Sequence, residues 1–219
     1  MHCMLRTTLV LIVLCVVSAM ALVKPVPGKN RTTVVPLEGT WSSGSQRVLT
    51  GPGFFNPFEL QFTVPRTSGI SYSFHSDDDD DNNGFFETAK YIYSSNPTNP
   101  RCFEATLFWQ HGTYHIASNN GSIVMVPFAA DGRVQLMTTC DDKGKPQFGS
   151  QMHSVGPTEV ISKWFNYVDT KPGFVDNKTH SQYAMQFYQF DGKPLPLMFQ
   201  VRNPPEMLPT HQIFMQVLG

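Results

Sequence analysis

Residues 37–57 read LEGTWSSGSQRVLTGPGFFNP and leave the backbone few choices. The four glycines of this segment destabilise a helix, and its two prolines cannot donate to a sheet ladder. It must therefore consist of short extended pieces joined by turns. The large apolar residues of this segment, together with Phe58 directly after it, are expected to pack beneath the strands that follow, each worth roughly 1.5–3 kcal/mol once buried. Those within the segment are Trp41, Val48, Phe54 and Phe55. We interpret the segment as the opening and plug of a β core.

Composition and charge narrow the class of protein. The chain has 219 residues with 16 basic and 17 acidic side chains, a formal net charge of −1. Because no global field attracts polyanions, neither nucleic acid nor an anionic lipid surface is an expected partner. Charged residues make up 15% and aromatic residues 12% of the chain, a balance typical of an ordered sheet protein.

The first residues have the pattern of a secretory signal. Arg6 precedes the apolar run 9–17, and the small-residue segment 19–21 follows it, so we predict a signal peptide over residues 1–21 that is cleaved after Ala21. The alternative, a membrane anchor, would need roughly 20 apolar residues. Residues 22–36, rich in proline and glycine at their start, are predicted to form a flexible arm.

The cysteines and sequons fit an oxidising, secretory compartment. Cys3 and Cys15 leave with the signal peptide, so we predict a disulfide between Cys102 and Cys140. A catalytic thiol is the alternative, without a Cys-x-x-Cys motif to support it. Three Asn-x-Ser/Thr sequons in turn-like sequence predict N-glycosylation, at least at two of them; they begin at Asn30, Asn120 and Asn177.

Alternating apolar residues predict an all-β fold. Residues 69–74, 85–93, 103–109 and 123–128 alternate with period two or are rich in β-formers, and turn sequences separate them. We predict eight or nine strands in a single antiparallel meander over residues 37–203, closing into a lipocalin-like β-barrel, with a β-sandwich as the alternative. Residues 204–219 are expected to form an extended C-terminal tail.

No metal site is expected. The acidic run 77–81 resembles half of a calcium loop, but its twelfth position is Lys90 where a bidentate glutamate is needed. We therefore predict a solvated hairpin loop there, with a weak cation site as the alternative. His111 and His115 lie about 13 Å apart if one strand continues through both, too far to share an ion.

No catalytic site is expected either. The sequence contains no zinc-protease motif, no nucleophile elbow and no glycine-rich phosphate loop, and no organic cofactor is implied. A glycosidase pair could in principle come from the glutamates, but sequence places no two of them at catalytic separation; the candidates are Glu38, Glu59, Glu87 and Glu104.

Motifs spread over the mature chain resemble the fungal Rot-one family, named for reversal of TOR-two lethality. They are Gly-Thr-Trp-Ser-Ser (39–43), Thr-Gly-Pro-Gly-Phe-Phe-Asn-Pro (50–57), Gly-Ile-Ser-Tyr-Ser-Phe (69–74), Ser-Asn-Pro-Thr-Asn-Pro (95–100), Gln-His-Gly-Thr-Tyr (110–114), Tyr-Gln-Phe-Asp-Gly-Lys-Pro (188–194) and Pro-Pro-Glu-Met-Leu-Pro-Thr (204–210). The resemblance implies a glycoprotein of the endoplasmic reticulum that acts as a chaperone for secretory and membrane proteins and whose loss lowers cell-wall β-1,6-glucan.

The same resemblance implies immature secretory proteins, and other chaperones of that compartment, as partners. The family is anchored by a C-terminal membrane helix, whereas no apolar run of spanning length follows Val201, so we expect a lumenal domain. Two aromatic pairs are candidates for client binding, with a place in the core as the alternative; they are Phe54 with Phe55 and Phe85 with Phe86.

Two other functions stay open on sequence alone. A barrel that opens with Gly-x-Trp could carry a small apolar ligand. A carbohydrate-active wall protein is the other alternative, although it lacks an evident acid pair.

Overall fold

The structure is a computed structural model that describes residues 34–77, 80–141, 143–154, 156–170 and 181–214. These residues form strands and no helices. The strands are β1 (Gly39–Ser43), β2 (Phe55–Asn56), β3 (Gln61–Phe62), β4 (Gly69–Asp77), β5 (Asp80–Asn96), β6 (Asn99–Ile116), β7 (Ile123–Pro127), β8 (Arg133–Cys140), β9 (Pro146–Ser154), β10 (Glu159–Asp169), β11 (Gln182–Gln189) and β12 (Met198–Arg202). The predicted signal peptide and most of the predicted arm lie outside the described residues.

Eight strands form a closed antiparallel ring. Their order is β5-β4-β1-β12-β11-β10-β7-β6, and β6 pairs with β5 to close it. The all-β antiparallel prediction is confirmed, and the ring is a barrel-like arrangement. The order differs from a plain meander because β1 lies between β4 and β12, and β7 pairs with β10 across the chain. Pairing of the first and last parts of the described chain requires tertiary contacts that no local pattern predicts.

The long strand β6 divides the sheet. Its first half pairs with β8 through residues 104–109, and its second half pairs with β7 through residues 112–116. The division lies at Gly112, where an added Cβ would come within 2.1 Å of the Val126 carbonyl oxygen. Only glycine fits this close approach of two backbones. Strands β8 and β9 therefore continue the sheet outside the ring.

Two apolar clusters lie on opposite faces of β5 and β6. The first fills the ring, because every strand of the ring contributes to it; its members on the strands are Trp41, Tyr72, Phe74, Phe86, Tyr114, Ile116, Ile123, Met125, Ile161, Met185, Phe187 and Met198. The second covers the other face of β5 and β6; it consists of Val48, Phe54, Phe55, Phe62, Ala89, Tyr91, Ala105, Leu107, Trp109 and Leu208. Each strand of this pair is thus buried on both faces along part of its length.

The cover over the second cluster comes from two segments. One is the loop and β2–β3 hairpin that follow β1, and the other is residues 203–214, which we call the C-terminal strap. The prediction that residues 37–57 plug a β core is correct for Trp41, Phe54 and Phe55, which are buried. The expectation that Phe58, directly after this segment, packs with it is wrong, because Phe58 is 95% exposed. Phe58 follows Pro57 at the hairpin tip, where its N–H donates to the Asn56 side chain (3.0 Å).

The acidic run belongs to the β4–β5 hairpin. Strand β4 ends at Asp77 and β5 begins at Asp80, so the strands extend further into the run than the predicted loop allowed. The described residues 77 and 81–83 are exposed. Asp80 accepts hydrogen bonds from Asn82 and Asn83, and these bonds lower the pKa of its carboxyl group. The carboxylate oxygens of Asp80 therefore accept hydrogen bonds within the turn.

Candidate functional site

The predicted aromatic pairs lie mainly in the cores. Phe55 stacks on Trp109 with ring centroids 4.5 Å apart, and Phe54 packs edge-on against Phe62 at 5.6 Å. Phe86 is fully buried inside the ring, whereas Phe85 is half-buried. Their positions favour the core interpretation over client binding for three of the four residues.

Below the aromatic cover lies a buried carboxylate that joins three segments. Glu87, on β5, accepts hydrogen bonds from the Gly51 N–H (2.6 Å), the Trp109 Nε1–H (2.9 Å) and the Leu208 N–H (2.5 Å). Burial raises the pKa of Glu87 to about 7, because its desolvation outweighs the three donors. This residue connects the loop after β1 and the C-terminal strap to the sheet.

A second buried acid holds the end of the strap. Asp131, in the turn before β8, accepts hydrogen bonds from the N–H groups of Ile213 (2.6 Å) and Phe214 (2.7 Å). Its carboxylate also contacts His111 Nε2 at 2.7 Å, and this pair is almost fully buried. Desolvation lowers the pKa of His111, against the opposing effect of Asp131 and of the Pro209 carbonyl. His111 therefore has a structural role, while His115 is exposed on the same strand.

The middle of the strap is bonded to hydroxyl groups of the sheet. The Glu206 N–H donates to Thr40 Oγ1 (2.8 Å), and its carbonyl accepts from Thr50 (2.5 Å) and Ser73 (3.0 Å). At its end, the Arg133 guanidinium lies 4.4 Å from the centre of the Phe214 ring. Thr40 on β1 and Ser73 on β4 thus hold the middle of the strap against the sheet.

A polar cluster joins side chains of β4, β5 and β10. Lys90 Nζ contacts Glu159 at 2.9 Å, and the buried Tyr72 hydroxyl donates to the same carboxylate. Burial, followed by the Glu159 charge, raises the pKa of Tyr72 well above its ordinary value. Among the described side chains, the buried Thr88 hydroxyl and Gln110 carboxamide have no hydrogen-bond partner. No sequence pattern distinguishes these residues from ordinary strand positions.

The remaining predicted sites are placed as follows. Cys102 and Cys140 form a disulfide that links β6 and β8. Asn120 is exposed in the turn between β6 and β7, whereas Asn30 and Asn177 lie outside the described residues. Within the described ranges, no three His, Cys, Asp or Glu side chains gather as metal ligands, and no helix could cross a membrane.

The four glutamates have different surroundings. Glu87 is buried beneath the second cluster, and Glu38 contacts His75 at 3.3 Å. Glu59 and Glu104 are exposed. Glu104 faces away from the second cluster, because its neighbour Ala105 faces towards it.

Comparison with known proteins assigns the family. A family model described as a chaperone for protein folding within the endoplasmic reticulum of fungi, Rot1, matches residues 37–217. Protein ROT1 of Candida glabrata is 38% identical over 177 residues, covering 81% of this chain and 60% of the relative. Protein ROT1 of Kluyveromyces lactis is 40% identical over 174 residues, covering 80% of this chain and 64% of the relative.

A third relative agrees with these two. Protein rot1 of Schizosaccharomyces pombe is 40% identical over 177 residues, covering 81% of this chain and 68% of the relative. The chain thus spans about three fifths to two thirds of the length of these relatives. No solved structure matches the chain. With a family match over most of its length, the chain belongs to the fungal Rot1 family of chaperones for protein folding within the endoplasmic reticulum.

Proposed function

We propose that this chain is a lumenal folding factor of the endoplasmic reticulum that binds unfolded or immature secretory and membrane proteins without ATP. The family match over residues 37–217 carries the proposal. The absence of a glycine-rich phosphate loop from the sequence supports independence from nucleotide. Its clients would include proteins needed for β-1,6-glucan synthesis, so that wall defects arise indirectly and no catalysis by this chain is required.

The arrangement of the core supports a folding factor over the two alternative functions. A carrier needs an internal cavity, yet large side chains from every strand of the ring fill its interior. A retaining or inverting glycosidase needs two carboxyl groups at a shared cleft. Glu87 is buried beneath the second cluster, and Glu104 lies exposed on the other face of the sheet.

The proposal is tested with residues 22–219, the part of the chain that follows the predicted signal peptide. It is added without ATP to a chemically unfolded client while light scattering follows aggregation. We expect suppression near stoichiometric amounts, and none from an inert glycoprotein at the same concentration. Equal aggregation with and without the chain would contradict an intrinsic chaperone activity.

We also propose that Asn120 carries an N-linked glycan. Its side chain lies in an exposed turn, and its Oδ1 accepts a hydrogen bond from the Ser122 N–H (3.0 Å) that keeps the sequon in the turn. The change Asn120→Gln should remove one glycosidase-sensitive mass increment from the chain expressed in fungal cells. An unchanged glycan mass would exclude occupancy at this sequon.

A further inference from the structure

Strand β9 is a free sheet edge. It is the terminal strand of the ten-stranded sheet and pairs with β8 on one side, while its other side pairs with no strand in the described ranges. Eight of its nine residues are exposed. An edge strand presents unpaired N–H and C=O groups that can template another extended chain.

Two devices that usually protect such an edge, charged side chains and a proline within the strand, are missing. Residues 146–154 contain no Asp, Glu, Lys or Arg, and the one proline stands at the first position, where it blocks no internal hydrogen bond. The edge is also longer than the five or six residues that are usual for a strand. Natural sheets normally limit such exposure, so this edge is a candidate binding surface.

Apolar side chains line one face of this edge. Phe148 and Met152 are 71% and 37% exposed and share a face with Ser150. Ser150 lies opposite Met137 on β8, and Met137 packs against the second cluster. Phe148 and Met152 therefore lie on the same side of the sheet as the second cluster, but they are exposed at the free edge.

We propose that β9 binds extended, apolar segments of non-native client chains by adding them to the sheet as a further strand. Backbone hydrogen bonds would supply affinity that tolerates different client sequences, and Phe148 and Met152 would favour apolar client residues at alternate positions. This inference rests on the proposed chaperone function and names its binding surface.

A client segment fits this edge better than a second copy of the chain. Pairing of two β9 strands would bring together only two large apolar side chains from each copy, Phe148 and Met152. Stable interfaces bury roughly 1,200 Å² or more in total, which so narrow an edge does not supply. A weak contact with an extended chain is what repeated client binding and release require.

The direct test uses a labelled eight-residue peptide of alternating valine and threonine with a terminal lysine for solubility. Hydrogen exchange of residues 22–219 is measured by mass spectrometry with and without this peptide. We expect amides within residues 147–154 to exchange at least about tenfold more slowly when the peptide is bound. The same peptide N-methylated at consecutive residues keeps its side chains but loses its donors, so it should not bind.

Matched variants test the side chains. Phe148→Ser with Met152→Ser should weaken peptide binding about tenfold, whereas Phe58→Ser with Phe190→Ser, at residues 95% and 78% exposed elsewhere, should not. Any one of four results would overturn the proposal. The peptide does not bind, it protects residues outside β9, its N-methylated form binds equally well, or both double variants lose peptide binding equally. Protection of β9 without peptide that rises with protein concentration would instead indicate pairing of two copies.

The aggregation assay separates this inference from the proposed function. If the wild-type chain and Phe148→Ser/Met152→Ser suppress aggregation equally, the chaperone function stands and the edge is not its binding surface. If the peptide protects β9 but no client is kept soluble, the edge binds extended chains and the proposed function fails.

Discussion

At the scale of single residues, Glu87 has the most unusual environment. A carboxyl group that is removed from water is costly to ionise, and three N–H donors offset only part of this cost. Its pKa near 7, above the ordinary value of 4.5, means that the folded state binds the Glu87 proton more tightly than the unfolded state does. The contribution of this proton to the free energy of unfolding is therefore complete below pH 4.5 and decreases as pH rises towards 7.

We predict that Glu87→Gln lowers the free energy of unfolding by about 1–3 kcal/mol at pH 4.5, because the amide turns a donor towards one of the three N–H groups. The difference in the free energy of unfolding between wild type and Glu87→Gln should narrow between pH 4.5 and 8, since only the wild type has a side chain at position 87 that ionises in this range. Denaturant unfolding at several pH values measures both effects. Glu104→Gln, at an exposed site, is the control. A difference that stays constant with pH would contradict the raised pKa.

At the scale of elements, the β2–β3 hairpin combines buried and exposed phenylalanines. Phe54 and Phe55 pack against Phe62 and Trp109, whereas Phe58 projects from the tip. Within five residues of sequence, this segment therefore contains phenylalanines that are part of the core and one that lies at the surface.

We predict that Phe55→Ser lowers the free energy of unfolding by about 3–5 kcal/mol, as truncation of a buried aromatic residue does. Phe58→Ser should change it by less than about 0.5 kcal/mol. Denaturant titrations give both values. If Phe55→Ser left stability unchanged but weakened client binding, the client-binding interpretation of this pair would be correct.

The C-terminal strap depends on its contacts with the sheet. Its end is held by Asp131, which accepts two strap N–H groups and also contacts the buried His111. We predict that Asp131→Ala accelerates amide exchange at Ile213 and Phe214 by at least about tenfold. It should also lower the free energy of unfolding by about 1–3 kcal/mol, because buried donors lose their acceptor.

Amide exchange followed by mass spectrometry measures the release of the strap. The matched control is Asp191→Ala, at an exposed turn whose carboxylate contacts Lys193. Unchanged exchange at residues 213 and 214 in the Asp131 variant would show that packing alone, and not this carboxylate, holds the strap.

At the scale of the whole molecule, the two clusters share strands. Trp41 lies in the first cluster and Trp109 in the second, and β5 and β6 contribute side chains to both. Loss of either cluster would remove the packing from one face of strands that also hold the other cluster. We therefore predict that the ring and its cover unfold in one cooperative transition.

Variants that keep one of the two buried tryptophans test this. In Trp41→Phe/Trp164→Phe and in Trp109→Phe/Trp164→Phe, the fluorescence midpoint should coincide with the midpoint of that variant's own far-ultraviolet circular dichroism. Two separated midpoints in either variant would mean that the cover opens before the ring unfolds.

Much of the fold follows from local sequence. Alternation over residues 69–74 and 103–109 predicted strands that face a core, because a pleated strand turns alternate side chains to one face. The disulfide partners were predicted from the two cysteines that lie outside the predicted signal peptide. The family followed from motifs along the chain, and the family match confirms it.

The sequence alone determined the all-β class, the antiparallel strands and the family, because periodicity, turn residues and motifs are local properties. The tertiary structure alone decided that β1 pairs with β12, that Phe58 is exposed while Phe55 is buried, and that Glu87 and Asp131 hold the strap. These arrangements bring together segments that are far apart along the chain, up to 162 residues for Thr40 and Arg202. A local pattern cannot specify which distant backbone group meets a given side chain, because packing of the whole sheet makes that choice.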